Sequence, residues 1–193
     1  MATIEVVRDG VRLHAEVTGP ENGPTVVFAN SLGSTLHLWD PILPHLPDGL
    51  RIVRFDLRGH GKSDVPDGPY AMGQLISDAE AVCDAANLRD ALFVGISVGG
   101  MIAQGLAVKR PDLIRALVLS STAAKIGAPK MWQDRIAAVE AGGMAGIADN
   151  VIQRWFGNDF SATPARAQWL EMLQAAPAEG YMGVCAAIAR TDF

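Results

Sequence analysis

The sequence predicts an α/β fold: a mostly parallel sheet opened by an N-terminal hairpin, with helices on both faces and a helical segment appended. Three observations carry this. Short β-branched apolar runs alternate with helix-spaced stretches as far as residue 121, the pattern of strands joined by crossover helices. The first two runs are joined instead by Arg-Asp-Gly, a hairpin turn signal. Beyond residue 121 no strand-like run follows.

Each element can be justified in turn. TIEVV and VRLHAEV are the hairpin strands, and GPENGP is a loop by its Gly, Pro and Asn content. TVVFAN is a continuous apolar run, as expected of a strand buried on both faces. LRIVRFD is another strand, followed by the turn-rich LRGHGKSDVPDGPY. From Met72 to Ala86 apolar residues recur at helical spacing, and Asn87 closes the helix. ALFVGI is a strand, Val98 to Lys109 a helix stopped by Pro111, and LIRALVLSS (113–121) the last strand. From Pro129 to Arg190 the chain reads as helices broken at AGG, GNDF and APAEG. Residues 1–121 are therefore expected to form a core. Residues 122–193 are expected as a helical cap over the C-terminal strand edge, where open α/β sheets bind ligands.

Composition narrows the function. A chain of 193 residues supports one sizeable core, and 49% hydrophobic with 19% charged residues is a globular balance. A net charge of −5 provides no basic surface for nucleic acid. No apolar run approaches the roughly 20 residues of a membrane span. The N-terminus lacks the basic-then-apolar pattern of a secretory signal. Cys83 and Cys185 have no metal-ligand or redox spacing and read as buried thiols. A cytoplasmic setting is expected.

The chemistry centres on Gly95-Ile-Ser-Val-Gly99. In a chain with 20 glycines this pattern can arise by chance. Between a strand and a helix it has a mechanical meaning. A tight turn lifts the Ser97 hydroxyl above the sheet, and bulk at either glycine would collide with neighbouring elements. The turn also leaves the Val98 N–H unpaired at a helix N-terminus, where an anion is favoured. Acyl transfer develops an oxyanion there. A second donor is expected from the loop NSLGS (30–34), with the Leu32 N–H as candidate. Asn30 and Gly33 would equally suit an ordinary strand-ending turn.

FANSLGSTLHLWDPILPHL, RFDLRGHGKSDVPDGPY, GISVGGMIAQGLAVKRPDLIRALVLSSTAAKIG and RWF together resemble the α/β-hydrolase superfamily. DLRGHGKS and Gly-x-Ser-x-Gly support only the superfamily. NSLG…LHLWDP, STAAKIG and the stretch containing MWQDRI resemble the 3-oxoadipate enol-lactonase family over essentially the whole chain. That resemblance implies hydrolysis of 3-oxoadipate enol-lactone to 3-oxoadipate in aromatic-compound catabolism, with no metal or organic cofactor. It implies Ser97 as nucleophile and the Leu32 and Val98 N–H groups as oxyanion donors. A catalytic Asp and His are implied downstream of the cap, beyond any position in this sequence.

The four histidines do not replace the missing one. His14 lies on the hairpin, His45 between prolines, and His60 in a loop that the superfamily uses structurally. His37 is nearest the oxyanion loop, but a base must reach Ser97 Oγ directly. Asp56 ends a strand beside the same structural loop. The expectation is a chain lacking the C-terminal strands with the triad Asp and His, completed by a complementary fragment or showing an open sheet edge at 113–121.

The implied substrate is a small anionic lactone, so the site needs a cation, and Arg grips carboxylates through two parallel hydrogen bonds. Trp132 and Arg135 lie three apart on one helix face, and by resemblance that helix roofs the site. Trp132 is the candidate apolar wall and Arg135 the carboxylate anchor. Spacing alone leaves open that Trp132 packs the lid and Arg135 is solvated. Lys125 is a second candidate cation, and Trp155 reads as lid core. A general carboxylesterase or a cofactor-free perhydrolase would share these core residues. The absent triad members leave a non-catalytic ligand-binding fragment as an alternative from another class. A haloalkane dehalogenase would need an aspartate at position 97.

Overall fold

The computed structural model describes residues 2–157, 160 and 163–193. Asp9 and Gly10 both take positive φ (50° and 79°), and β1 (Ala2–Arg8) folds back antiparallel on β2 (Val11–Thr18). Two left-handed residues give a hairpin turn the twist of its strands, which is why Asp-Gly signals it. β2 lies antiparallel to β4 (Arg51–Phe55), and from there the pairing is parallel through β3 (Thr25–Ala29), β5 (Ala91–Ile96) and β6 (Ile114–Ser120). The strand order is β1-β2-β4-β3-β5-β6. Helices α1 (Met72–Ala85) and α2 (Val98–Lys109) are interleaved with the strands, and α3 (Pro129–Trp155), α4 (Ala165–Gln174) and α5 (Ala178–Ala189) follow.

The two faces of the sheet are covered unequally. Val27, Ala29, Val53, Phe55 and Phe93 bury one face against Leu75, Ala79 and Val82 of α1 and Met101, Ile102 and Leu106 of α2. The alternate residues, Val26, Phe28, Ile52, Leu92, Val94 and Ile96, form a separate cluster with Trp39 and its neighbours. Among the described residues, that cluster contains none from an α-helix. The expected helices on both faces are thus corrected. The β3–β4 crossover carries only single 3₁₀ turns at Leu36–Trp39 and Leu43–His45. Pro41, Pro44 and Pro47 in that crossover explain this, because proline removes the donors a longer helix needs.

β6 stands at the sheet edge, paired with β5 alone. It is apolar yet poorly covered: Val118 and Leu119, on opposite faces, are 46% and 43% exposed. The segment 113–121 is therefore an open edge among the described residues.

The helices after β6 share the main core. Ile147, Val151 and Ile152 of α3 and Val184 and Ile188 of α5 belong to the same buried cluster as β2 and β4. α3 is two arms, because Gly143 leaves helical geometry at φ 62°, ψ −171°. This falls within the AGG break. Of the GNDF break, Asn158 and Asp159 lie outside the described residues. The APAEG break separates α4 from α5. Cys83 and Cys185 are both buried, and desolvation pushes each thiol up to about 12.

Candidate active site

Ser97 is the hinge between β5 and α2, at φ 55° and ψ −120°. A residue with a Cβ is strained there by about 1–3 kcal/mol, so its surroundings must hold it. Its N–H donates to the Ser120 carbonyl (3.0 Å). Its own carbonyl accepts from the N–H groups of Gly100 (3.0 Å) and Met101 (3.2 Å) and from the Thr122 hydroxyl (2.7 Å). The flanking glycines are sterically required. A Cβ on Gly95 would strike the backbone of Gly99, and one on Gly99 would fall on the Ala29 and Asn30 carbonyl oxygens. Their absence lets α2 begin in contact with the end of β3.

The loop after β3 is held from several sides. The Asn30 amide donates to the Phe55 carbonyl (2.8 Å) and accepts from the Trp39 indole (2.7 Å). The Ser34 hydroxyl donates to the Ser31 carbonyl (2.8 Å). The Gly33 N–H donates to Nε2 of His60 (3.0 Å), and His60 Nδ1 donates to the Arg58 carbonyl (3.2 Å). Both contacts require a neutral imidazole carrying its proton on Nδ1. Burial enforces that state by lowering the His60 pKa to about 4. Between these fixed points the Leu32 N–H, like that of Val98, donates to no acceptor among the described residues. A half-buried hydroxyl beside two unpaired N–H groups can accommodate an anionic oxygen.

The expected residues are brought together. A chamber of about 120 Å³ at Ser97 is lined by Leu32, Trp132 and Arg135, with Arg154, Trp155 and Tyr181 completing it. A neighbouring cavity of about 270 Å³ shares Ser31, Ser97, Arg154 and Trp155. Trp132 is buried, its indole donating to the Ile126 carbonyl (2.6 Å). Arg135 Nη1 donates to the Tyr181 hydroxyl (3.0 Å), and the Tyr181 ring lies against Gly33. Burial pushes the Tyr181 phenol up to about 12 against the pull of the two arginines, so it stays protonated.

Other candidates fall outside. None of the four histidines lines either cavity at Ser97. His37 is paired with Asp40 (2.8 Å) in a separate cleft, and His45 lies in an exposed 3₁₀ turn. His14 is buried in the hairpin. Asp56 accepts from the Leu36 (2.7 Å) and Lys62 (3.0 Å) N–H groups, a structural use of its carboxylate. Burial raises its pKa, and those two donors oppose the rise. Lys125 is paired with Asp192 (2.6 Å) and lines neither cavity. Trp155, read as lid core, packs against the main core and also lines both. Tyr181 carried no local motif. The signal for Arg154 was the RWF stretch beside Trp155, which fixes no direction without the turn at Gly143.

A serine on a strained strand-to-helix turn, at the carboxyl end of a parallel sheet, defines the class of α/β hydrolases. The family described as alpha/beta hydrolase fold matches residues 24–168, and the chain belongs to it. It is a hydrolase. It is similar to 3-oxoadipate enol-lactonase 1 of Acinetobacter baylyi, 35% identical over 187 residues, 96% of this chain and 70% of the relative. It is similarly related to 3-oxoadipate enol-lactonase 2 of the same organism, 36% identical over 94% of this chain and 69% of the relative. Among solved structures, the enol-lactonase from Burkholderia xenovorans superposes with a TM-score of 0.93 at 35% identity. It covers 98% of this chain, which spans 74% of that one. No helix among the described residues is long and apolar enough to cross a membrane.

Proposed function

We propose that this chain provides the nucleophile and substrate pocket of a carboxylic-ester hydrolase. It opens a small anionic enol-lactone, 3-oxoadipate enol-lactone, to 3-oxoadipate in the cytoplasmic breakdown of aromatic compounds. The observation that carries this reading is that Ser97, Leu32, Trp132 and Arg135 line one chamber. The similarity to enol-lactonases supports the choice of substrate.

Ser97 Oγ attacks the lactone carbonyl while the Leu32 and Val98 N–H groups take the developing oxyanion. Each such donor is worth about 2.7–4 kcal/mol. Collapse breaks the ring C–O bond. The leaving oxygen departs as an enol that tautomerises to the ketone, and water then releases the acyl group from Ser97. Trp132 forms the apolar wall and Arg135 holds the substrate carboxylate. Residues 122–193 act as the cap. A serine needs an adjacent base, and none of the histidines here lines its cavities. The base and its acid come from outside the residues described, carried by strands that pair along the open edge of β6.

Enol-lactone turnover tests this, measured for the chain alone and for a form extended past Phe193 to the length of its relatives. The extended form is expected to turn over and the chain alone to stay near background. Ser97→Ala in the extended form should lose at least about a thousandfold. Near-normal turnover by Ser97→Ala would overturn the assignment.

A further inference from the structure

A cleft of about 1020 Å³ lies outside the Ser97 chamber, between the two arms of α3. Among the described residues, Arg135 and Arg154 are the two that line both this cleft and the chamber. One comes from each arm. The third cation of the cleft, Lys130, is neutralised by Asp134, with both carboxylate oxygens at 2.7 and 2.8 Å from its Nζ. Arg135 donates to the neutral Tyr181 hydroxyl, and Arg154 lies close enough to act on the same phenol. Two guanidiniums therefore stand between the cleft and the Ser97 chamber in a chain whose net charge is −5.

We infer that Arg154 is a substrate-selecting residue: with Arg135 it forms a two-arginine port that admits and holds the free carboxylate of a small ester or lactone. The inference rests on the reading of Ser97 and Arg135 given under Proposed function. Like charges brought together in a cleft raise the local positive potential and draw anions inward. A carboxylate has lone pairs enough for two guanidiniums, so the second cation adds grip without competing for the first. Arg154 lines both cavities at Ser97 and Arg135 only one. Arg154 can thus follow the carboxylate from the cleft to the seat beside the nucleophile. A neutral ester draws nothing from either residue.

Binding tests this without depending on turnover. Calorimetric titration of the full chain uses adipate as the carboxylate probe and dimethyl adipate as its neutral counterpart. Arg154 is solvent-exposed, so its contribution is screened. Arg154→Gln should weaken adipate binding by roughly three- to tenfold and flatten its salt dependence. Dimethyl adipate should bind unchanged, and Arg154→Lys should restore part of the loss. If Arg154→Gln fails to fold, judged by its melting curve, the lysine variant is compared alone, because losing the planar fork should still weaken adipate. Adipate affinity unchanged in Arg154→Gln, or in a lysine variant compared alone, but reduced in Arg135→Gln, overturns the port and leaves the function intact. Wild-type chain that prefers the neutral ester overturns both.

Discussion

At the elbow, Ser97 is fixed by hydrogen bonds to its own N–H and carbonyl and by two glycines whose missing side chains admit neighbouring backbone. At the port, Arg135 and Arg154 are long side chains from two helix arms, and the Tyr181 hydroxyl supports Arg135 alone by a hydrogen bond. Both regions border one chamber. The first is specified by collisions that no side chain can relax, the second by flexible groups partly in solvent. On the proposed function, the chemistry is therefore rigid and the selection adjustable. Changes at the elbow should act through stability, and changes at the port through affinity.

The largest expected effect tests the rigid side. Gly99→Ala places a Cβ on the Ala29 carbonyl oxygen, which is strand backbone and cannot retreat. A loss of about 3 kcal/mol or more is expected in chemical denaturation. A loss under 1 kcal/mol would show that the elbow yields, removing the contrast between the regions.

His60 carries a nearly equal effect through pH. Its folded pKa is about 4 against an ordinary 6.5, so the unfolded state binds the extra proton between those values. Stability is fully present above pH 6.5 and falls as pH drops toward 4, by about 3 kcal/mol in total. Asp56, with its raised pKa, titrates with the opposite sign at the acid end. His60→Gln should flatten the slope of stability against pH between 4 and 6.5. An unchanged slope would move the titration to another group.

Ser97→Gly should change stability in the opposite direction. Glycine occupies positive φ without the Cβ penalty, which outweighs its greater unfolded-state entropy, so a gain of about 1 kcal/mol is expected while turnover by the extended form is lost. A destabilised glycine variant would mean that Ser97 is not strained.

The smallest effect belongs to the port. Tyr181→Phe keeps the ring against Gly33 but removes the acceptor for Arg135. Adipate affinity should fall by about two- to fivefold, with the melting temperature nearly unchanged. A large loss of stability instead would place Tyr181 with the rigid elements.

The same contrast explains what the sequence made legible. Ser97 could be read because its geometry depends on residues two positions away, and Asp9-Gly10 for the same local reason. Trp132 and Arg135 were reachable as a pair three apart on one helix. Arg154 was not, because its approach to Arg135 needs a chain reversal at Gly143, and periodicity reports a break without its direction. The contact between Gly33 and His60 spans 27 residues and has no local signature. The second face lacks an α-helix because Pro41, Pro44 and Pro47 interrupt the β3–β4 crossover, a signal that the alternation of apolar runs does not carry.

Gly143 places one pivot between Arg135, which lines one of the two cavities at Ser97, and Arg154, which lines both. On the proposed function, the angle at that pivot sets the span between carboxylate and scissile carbonyl that this pocket accepts. Variation there can retune which chain lengths are accepted without touching Ser97, Gly95 or Gly99. On that reading, reactivity and preference are encoded in separate stretches of the gene, so that one can change while the other is inherited intact.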